Sequence, residues 1–297
     1  MQEKNSNSFS YRGATFKAPA LSAGLHLVST PIGNLGDMTL RGLETLAACS
    51  VIACEDTRNS GILLKHFGIN RPKISYNEHN AETRGPDLLR QIGEGMPIAL
   101  ISDAGTPLVS DPGYRLVRDA VARNLPVIPL PGASAPLAAL VGSGLESDDF
   151  RFCGFLPNRE QARSRRLRDL ADARSTLIFF ESPNRIKATL KSICSELGPD
   201  RLVVVARELT KMHESFYRGP ASQIYSELNA MDRIRGEIVI VIDGAGETTA
   251  SEADVQAQLK DALKSMKTKQ AAATVAQANG LSTQDMYKLA LTLKDET

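Results

Sequence analysis

The stretch that decides the fold class reads PIALISDAGTPLVSDPGY and occupies residues 97–114. It begins with a short apolar run, Pro97–Ile101, whose length and composition are typical of a buried strand. It then passes through glycines, prolines and small polar residues into an amphipathic segment, Gly113–Asn124, which predicts a helix. A buried strand that leads through such a loop into a helix is the repeating unit of α/β proteins built mainly on parallel strands.

The same alternation continues on both sides of this stretch. Further strands are predicted at Leu25–Ser29, Ser50–Cys54, Lys73–Tyr76 and Val127–Leu130, and helices at Thr39–Cys49 and Asn59–Phe67. Together these elements predict a first α/β domain over residues 24–141. The polar residues 1–23 that precede it predict a flexible leader.

A second alternating block follows Gly142–Asp149, a segment rich in Gly, Ser and Asp that we interpret as an interdomain linker. Its predicted strands are Arg151–Leu156, Thr176–Phe180, Leu202–Ala206, Glu214–Arg218 and Glu237–Ile242, and its predicted helices are Glu160–Asp172, Asn184–Leu197 and Ala221–Asn229. The block predicts a second α/β domain over residues 150–246. The fold class is therefore α/β, with two α/β domains in series, a ligand cleft between them and a small C-terminal helical tail.

The tail, residues 251–297, has no strand pattern. Ser251 and Asp254 are a candidate capping pair for its first helix. Two further helices are predicted at Ala271–Ala278 and Gln284–Leu293, around an Asn279–Gly280 turn. The arrangement is compatible with a helix-turn-helix that reads nucleic acid. A small bundle that packs on the body or on a partner subunit is the favoured interpretation, because acidic residues in the tail match the lysines in number.

Composition and charge exclude several classes of protein. The chain has 297 residues with 35 Lys and Arg against 34 Asp and Glu, so any RNA contact must come from local clusters of charge. No apolar run approaches the roughly 20 residues of a membrane span. The 4 cysteines form no CxxC pair and there are only 4 histidines. We therefore expect a cytoplasmic protein that uses neither a membrane nor a metal.

Turn residues and small polar residues are concentrated where four predicted strands of the first domain end. These loops span residues 30–37, 55–58, 77–80 and 102–113. Ligands of open α/β sheets collect at such carboxyl ends. None of the four loops is a Walker A motif or a GxGxxG fingerprint, which argues against nucleotide hydrolysis and an ordinary dinucleotide site. The loop 102–113 is either a rigid backbone surface that lies against a ligand or an elaborate strand-helix turn.

Charged residues in these loops have more than one interpretation. Asp56, between Glu55 and Arg58, is either part of a site or one half of an ion pair that holds the loop. Glu78 and His79 are candidates for a general base or for loop hydrogen bonds. Arg207, Glu208 and Lys211 follow a strand of the second domain and would face the first domain across the cleft. A basic helix, which is either simply solvated or a clamp for phosphates, carries Arg159, Arg163, Arg165, Arg166 and Arg168.

Seven sequence words stand in one order along the chain: residues 29–37, 55–58, 102–107, 111–114, 180–183, 206–211 and 235–237. Together they closely resemble the bacterial 16S ribosomal RNA cytidine 2′-O-ribose methyltransferases, the RNA-directed branch of the tetrapyrrole methylase superfamily. The resemblance covers roughly Leu25 to Gly244, and the helical tail is also similar to the tail of that family. One departure is Ala133, which stands where the family pattern has a proline.

The resemblance implies a homodimer in which S-adenosyl-L-methionine binds in a cofactor cleft between the two α/β domains. The implied cofactor contacts are Pro31, Ser102, Asp103, Ala104, Gly105, Thr106, Val109, Ser134 and Ala135 in the first domain, and Glu181, Leu209 and Glu237 in the second. The implied substrate is a cytidine ribose in the decoding region of 16S rRNA, presented on the assembled 30S subunit.

The transferred methyl is already activated, so catalysis is largely positioning, with a basic group removing the proton of the 2′-hydroxyl. We predict that Asp56, Glu208 and Lys211 handle this hydroxyl. The predicted RNA-binding residues are Arg58, Arg163, Arg165, Arg166 and Arg207.

Two rival functions remain open. One is a small-molecule methyltransferase of the same superfamily that acts on a porphyrin-like ring, against which the arginine helix and the word Glu55–Arg58 argue. The other is a ribosome-binding assembly factor with a vestigial pocket. Intact Gly105, Pro107 and Pro131–Gly132 argue against such decay.

Overall fold

A computed structural model describes residues 7–246 and 252–295. The described part of the chain begins with a two-stranded hairpin, β1 (Ser8–Tyr11) and β2 (Ala14–Lys17). The first large sheet follows and has five parallel strands: β3 (Gly24–Val28), β4 (Val51–Cys54), β5 (Lys73–Ser75), β6 (Pro97–Ile101) and β7 (Val127–Leu130). The strand order is β5-β4-β6-β3-β7. The strand of the opening stretch, β6, therefore lies at the centre, as its continuous burial requires.

Helices cover both faces of this sheet, because the strands are apolar on both sides. The helices are α1 (Leu40–Ala48), α2 (Thr57–His66), α3 (Ala81–Gly93), α4 (Tyr114–Ala122) and α5 (Ala135–Ser143). Leu46 of α1 and Leu64 of α2 pack in one buried cluster, and Leu88 of α3 and Leu116 of α4 in the other. The turn between β3 and α1 contains a short 3-10 helix, Leu35–Asp37.

The second sheet is mainly antiparallel, whereas the alternation of strands and helices predicted mainly parallel strands. Its strands are β8 (Phe150–Phe155), β9 (Thr176–Glu181), β10 (Leu202–Arg207), β11 (Ser215–Pro220) and β12 (Ile238–Ile242), in the order β11-β10-β12-β9-β8. Only β8 and β9 pair in parallel. The apolar run of β12 indicates that both faces of the strand are buried, but it does not indicate the direction of the neighbouring strands. The antiparallel pairing of β12 with β10 and β9 was therefore not predictable from the sequence pattern.

The helices of the second half are α6 (Glu160–Arg168), α7 (Ile186–Glu196) and α8 (Ala221–Asn229). One face of the second sheet is covered by α5, which follows the last strand of the first sheet. Ala139 and Leu140 of α5 are buried against Val239 and Val241 of β12. Helix α5 also occupies the first two residues of the predicted linker and ends at Gly144, which has the left-handed conformation of a C-cap.

The predicted flexible leader is wrong for its described part. Phe9 is 3% exposed and packs in the same buried cluster as Leu46 and Phe67, and Ser10 N donates to Phe67 O at 2.7 Å. A two-residue turn, Arg12–Gly13, closes the hairpin of β1 and β2. The alternation of Phe9 and Tyr11 with serines was its sequence signal.

The two sheets belong to one compact unit that runs to Asp243 apart from Asp172–Arg174. The positions of the domain boundaries at residues 24–141 and 150–246 therefore stay predictions.

The second compact unit contains the tail and Asp172–Arg174. Its helices are α9 (Glu252–Ser265), α10 (Thr268–Asn279) and α11 (Thr283–Asp295), which share a buried cluster that includes Leu259, Val275 and Ala290. The candidate capping residue Ser251 lies outside the described residues. No helix within the described ranges is long and apolar enough to cross a membrane.

Candidate active site

A cavity of about 310 Å³ lies where the strand ends of the two sheets meet. In the first sheet its walls come from the loops after β3, β6 and β7; in the second, from the ends of β8 and β9, the residue Leu209 after β10 and the start of β12. The lining residues are Ile32, Ala104, Gly105, Thr106, Val109, Ser110, Asp111, Ser134, Ala135, Pro136, Phe155, Phe180, Glu181, Leu209, Glu237, Ile238 and Val239. A mostly apolar cavity of this size with a few convergent polar groups is typical of a small-ligand site.

The backbone of the loop after β6 is fixed against the loop after β3. Thr30 N donates to Gly105 O at 2.9 Å, and Gly105 N donates to Thr30 O at 3.0 Å. Gly105 has φ +81°, and a Cβ there would lie 3.3 Å from Ile32 Cγ2. The left-handed conformation therefore favours glycine at this position, and a larger residue would also press on Ile32 at the cavity wall.

Three hydroxyl groups hold the same loop from behind the cavity. Thr106 Oγ1 donates to Ala133 O at 3.0 Å and lies 3.1 Å from Ser29 Oγ. Ser102, which is buried, directs its Oγ toward the carbonyl oxygens of Ala104 and Gly105. The small polar residues of the stretch 102–113 thus tie three strand ends together.

Asp111 brings a carboxyl group to the cavity wall from a strained turn. Leu108 and Ser110 have φ of +73° and +64°, values that non-glycine residues rarely adopt. Partial burial, followed by the negative charges of Glu55 and Asp103, raises the pKa of Asp111 to about 6. Burial and the charge of Asp103 also raise the pKa of Glu55. The first-sheet side of the site therefore carries excess negative charge.

In the second half, a lysine lies between two carboxylates. Lys211 Nζ is 2.8 Å from Glu208 Oε1 and 3.1 Å from Glu237 Oε2. Its aliphatic stem lies against the loop after β3, since a Cβ on Gly33 would be only 2.5 Å from Lys211 Cγ. Partial burial acts to lower the pKa of Lys211, but the two hydrogen-bonded carboxylates hold it above its usual value. The hydrogen bond from Lys211 lowers the pKa of Glu208.

The family profile described as Tetrapyrrole (Corrin/Porphyrin) Methylases matches residues 24–225. The chain belongs to this family. A second profile, described as RsmI C-terminal HTH domain, matches residues 249–294 in the tail.

Several curated relatives of this tetrapyrrole methylase carry the name Ribosomal RNA small subunit methyltransferase I. The protein from Mesorhizobium japonicum is 47% identical over 94% of this chain and 95% of its own length. That from Synechocystis is 43% identical over 91% of this chain and 98% of its own length. The Escherichia coli O157:H7 protein is 42% identical over 90% and 94%, respectively.

Solved structures support the fold alone, because their identities are low. The methyltransferase CobJ aligns with a TM-score of 0.55 at 20% identity, over 75% of this chain and 95% of its own. Diphthine synthase aligns with a TM-score of 0.56 at 14% identity, over 74% and 89%.

Most of the residues predicted to contact the cofactor line the cavity of the tetrapyrrole methylase. Those at the wall are Ala104, Gly105, Thr106, Val109, Ser134, Ala135, Glu181, Leu209 and Glu237. Pro31, Ser102 and Asp103 lie outside the lining. Ser102 supports the loop, as described above, and Asp103 accepts a hydrogen bond from Asn59 Nδ2 at 2.8 Å.

Glu181 reaches the cavity, but its carboxylate is already engaged within the protein. It accepts hydrogen bonds from Ser182 N at 2.7 Å and Thr189 Oγ1 at 2.5 Å, and lies 3.3 Å from Arg185 Nε. Its side chain is fully buried. Glu181 therefore stabilises the end of β9, and a ligand would meet its backbone rather than its charge.

The three residues predicted to handle a hydroxyl are not brought together at the cavity wall. Asp56 caps the N-terminus of α2 by accepting from Arg58 N at 2.8 Å, and its other oxygen lies 2.8 Å from Arg58 Nη2. These bonds to Arg58 lower the pKa of Asp56 to about 2. The ion-pair interpretation of Asp56 and Arg58 thus describes the structure. Glu208 and Lys211 pair with each other near the rim residue Glu237, and the catalytic roles of all three stay predictions.

The prediction that Arg163 contacts RNA is wrong, because its side chain is buried inside the protein. It is 5% exposed, and its Nε donates to Ser192 Oγ at 3.0 Å on the neighbouring helix α7. Arg165 is exposed and Arg166 half-exposed. Arg207 is partly buried and donates to Arg235 O at 2.6 Å, whereas the side chain of Arg58 is 88% exposed.

Sequence reasoning missed the aromatic wall and the most perturbed acid of the cavity. Phe155 and Phe180 have ring centroids 5.5 Å apart, and Phe155 remains 57% exposed. Both stand at strand ends, which was their available signal. Asp111 belongs to the motif Asp111–Tyr114, but it lines the cavity next to Ser110, whose positive φ is not predicted by its residue type.

Proposed function

We propose that this tetrapyrrole methylase transfers a methyl group from S-adenosyl-L-methionine to the RNA of the small ribosomal subunit. The supporting observation is the cavity of about 310 Å³ that the two α/β halves form together, in a chain 41–47% identical to relatives named for that activity. The proposal extends to this chain what those names say of the relatives.

The residues at the cavity fit such a cofactor. Ile32, Ala135 and Leu209 provide apolar surface for an adenine ring, and the backbone at Gly105 permits close approach. The carboxylate of Glu237 suits the positive charge and hydroxyl groups of the ligand. The bound cofactor supplies a methyl group activated by attachment to a positively charged sulfur.

The chain itself has to orient a ribose hydroxyl and accept its proton. Asp111 is the group placed for this step, because it lines the cavity and its pKa of about 6 lies near the working range of a general base. Asp56 is held by Arg58, and Lys211 is held protonated. Asp111 would accept the proton that the ribose hydroxyl loses when its oxygen receives the methyl group that the bound cofactor would supply.

The Glu208–Lys211–Glu237 cluster positions the rim of the site. Lys211 joins the loop after β10 to the start of β12 and rests on Gly33 of the first half. Glu208 Oε1 also accepts from Glu237 N at 3.0 Å. We propose that these groups keep the two walls in register, since small displacements of reacting groups have large effects on rate.

The finer target is a cytidine 2′-hydroxyl in the decoding region of 16S rRNA, on the assembled 30S subunit in the cytoplasm. The exposed guanidinium of Arg58, beside Asp56 at the end of β4, and the exposed Arg165 of α6 are local phosphate contacts in a chain whose net charge is only +1. RNA contacts by Arg165, Arg166 and Arg207 belong to the same proposal.

The proposal includes a homodimer. Leu137 and Val141 lie one turn apart on α5 and are 48% and 79% exposed. Apolar side chains paired in this way on one helix face suit burial against a second copy. Sedimentation equilibrium of the wild type and of Val141→Glu tests it, and a monomeric wild type contradicts it.

The deciding experiment measures transfer of radiolabelled methyl from S-adenosyl-L-methionine to 30S subunits that lack the modification, with mapping of the labelled nucleotide. Label on one cytidine ribose is the expected result. Label on naked 16S rRNA but not on subunits contradicts the assembled substrate. Cofactor binding without RNA label favours the small-molecule enzyme, and absence of cofactor binding favours the assembly factor.

A further inference from the structure

A second cavity lies beside the N-terminal hairpin. It has a volume of about 380 Å³ and is formed by the tip of the hairpin, the 3-10 helix Leu35–Asp37 and the end of α2. Tyr11, Arg12, Leu35 and His66 are among its walls. We call it the hairpin pocket. The hairpin itself, residues 8–17, precedes the segment 24–225 that matches the methylase family.

Arg12 holds an unfavourable backbone position in this pocket. Arg12 and Gly13 have φ of +48° and +80°, the values of a two-residue turn in which Asn-Gly is strongly preferred. An arginine at the first of these positions is strained, where asparagine or glycine would not be. Strained residues of this kind cluster at sites that clamp a ligand.

The groups at the pocket have the chemistry that single-stranded RNA recognises. Within residues 7–246 and 252–295 no ion pair involves Arg12 or His66, so both remain available to a phosphate. The Arg12 guanidinium lies 5.3 Å from the centre of the Tyr11 ring. Leu35 is 41% exposed and provides apolar surface. Positive charge next to aromatic and apolar surface suits a phosphate with its attached base.

The loop after β3 connects the hairpin pocket to the cavity of the proposed active site. Ile32 lines the active-site cavity and Leu35 lines the hairpin pocket. Three residues of chain span at most about 11 Å, which corresponds to about three steps of a stacked strand at roughly 3.4 Å each. A strand whose target ribose enters the first cavity therefore has a nearby nucleotide within reach of the second.

We propose that the hairpin pocket binds the phosphate and base of a single-stranded RNA nucleotide a few positions from the methylated one. This inference rests on the proposed function for its choice of RNA, and it assigns the hairpin a role in substrate recognition. Arg12 is then a residue that strengthens substrate binding without touching the reacting atoms.

Arg12→Gly separates this role from a structural one. Glycine removes the strain of the turn, so the thermal midpoint is expected to equal or exceed that of the wild type. The dissociation constant for 30S subunits is expected to rise about 5- to 10-fold, and its logarithmic salt dependence to weaken by about one unit. Cofactor affinity and the single-turnover rate at saturating subunits stay unchanged. Arg123→Ala, at an exposed arginine that lines neither cavity, is the matched control.

Wild-type binding and salt dependence in Arg12→Gly overturn the inference, as does an equal loss in Arg123→Ala. Binding to subunits is measured directly, so the outcome does not depend on methyl transfer. If the wild type binds subunits through Arg12 but transfers no methyl, the proposed function fails and the pocket stands. If the wild type binds no subunits, both fail.

Discussion

Two aspartates at neighbouring strand ends have opposite environments. Asp56 follows β4 and is held by Arg58, with a pKa of about 2. Asp111 follows β6 in a half-buried position at the cavity wall, with a pKa of about 6. The group whose pKa lies nearer the working pH is the better proton acceptor. Asp111 is therefore the residue at which proton transfer is tested, and Asp56 is its control.

Asp111→Asn is expected to lower the single-turnover rate of methyl transfer by about 10²- to 10⁴-fold, the usual contribution of a general base. The rate of the wild type is expected to rise with pH through about 6, as Asp111 ionises. Rapid-quench measurement with saturating 30S subunits gives both quantities.

Asp56→Asn is the control for this measurement, because asparagine caps a helix as well as aspartate does. Its rate is expected to stay within a few-fold of the wild type. Equal losses in Asp56→Asn and Asp111→Asn would sink the assignment of the proton to Asp111.

Asp111→Asn is also expected to change how the stability of the protein depends on pH. The pKa of Asp111 is raised in the folded protein above its ordinary value of 3.8, so its ionised form disfavours folding. The wild type therefore loses stability as pH rises through about 6, while Asp111→Asn does not. At pH 8 the variant is expected to unfold at higher denaturant, and at pH 3 the two proteins should coincide. A variant less stable at pH 8 contradicts the burial of this charge.

Helix α5 joins the two halves of the protein and packs tightly against β11. A Cβ on Gly142 would lie 2.7 Å from Phe216 Cζ on β11. Phe216 has little freedom to move, because Arg218 lies over its ring at 4.5 Å and donates to Ser143 O at 3.1 Å. Gly142→Ala is therefore expected to destabilise the protein by about 1–3 kcal/mol, measured by urea unfolding.

Gly61→Ala is the matched substitution. Gly61 lies inside α2, and a Cβ there would meet only the end of Lys73 at 3.8 Å. Alanine has the higher helix propensity, so this variant is expected to gain about 0.5–1 kcal/mol. Destabilisation of both variants to the same extent would show that the contact of α5 with β11 has no special tightness.

Helix α6 carries arginines of two kinds. Arg163→Ala removes a buried donor to Ser192 Oγ and is expected to cost about 1–3 kcal/mol of stability. Arg165→Ala alters an exposed side chain and is expected to leave stability within about 0.5 kcal/mol while weakening RNA binding. Parallel measurements of thermal unfolding and of affinity for 30S subunits check both. An unchanged affinity for Arg165→Ala removes α6 from the RNA surface.

The positions of most strands and helices were predictable from the local pattern of apolar residues, but the pairing of the strands was not. The strand at Pro97–Ile101 is found as predicted, since a run of five apolar residues before a Gly- and Pro-rich loop is typical of a buried strand; four of the five are buried. Helix α3 was missed because Gly85 and Pro86 interrupt its pattern. The direction of β12 depends on contacts distant in sequence, which local pattern does not encode.

At the scale of the whole molecule, the site is assembled from loops that the sequence marks unequally. Gly105 and Thr106 lie in a motif whose glycine and proline content predicts a tight turn against a ligand. Phe155 and Val239 line the same cavity but look like ordinary core residues of strands. Their role follows only from the packing of two sheets through α5, and such packing is a tertiary property.

The cavity also predicts which part of the chain cofactor binding needs. Every described residue that lines it lies between Ile32 and Val239, within the first compact unit, and the helical tail belongs to the second. A chain ending at Gly246 is therefore expected to bind S-adenosyl-L-methionine within about 2-fold of the full-length affinity by calorimetry, since no lining residue is removed. Its affinity for 30S subunits is expected to fall if the tail, which matches a helix-turn-helix profile, reads RNA. Unchanged affinity for subunits would instead favour a tail that packs on a partner copy, and loss of cofactor binding would show that the cavity depends on the second unit.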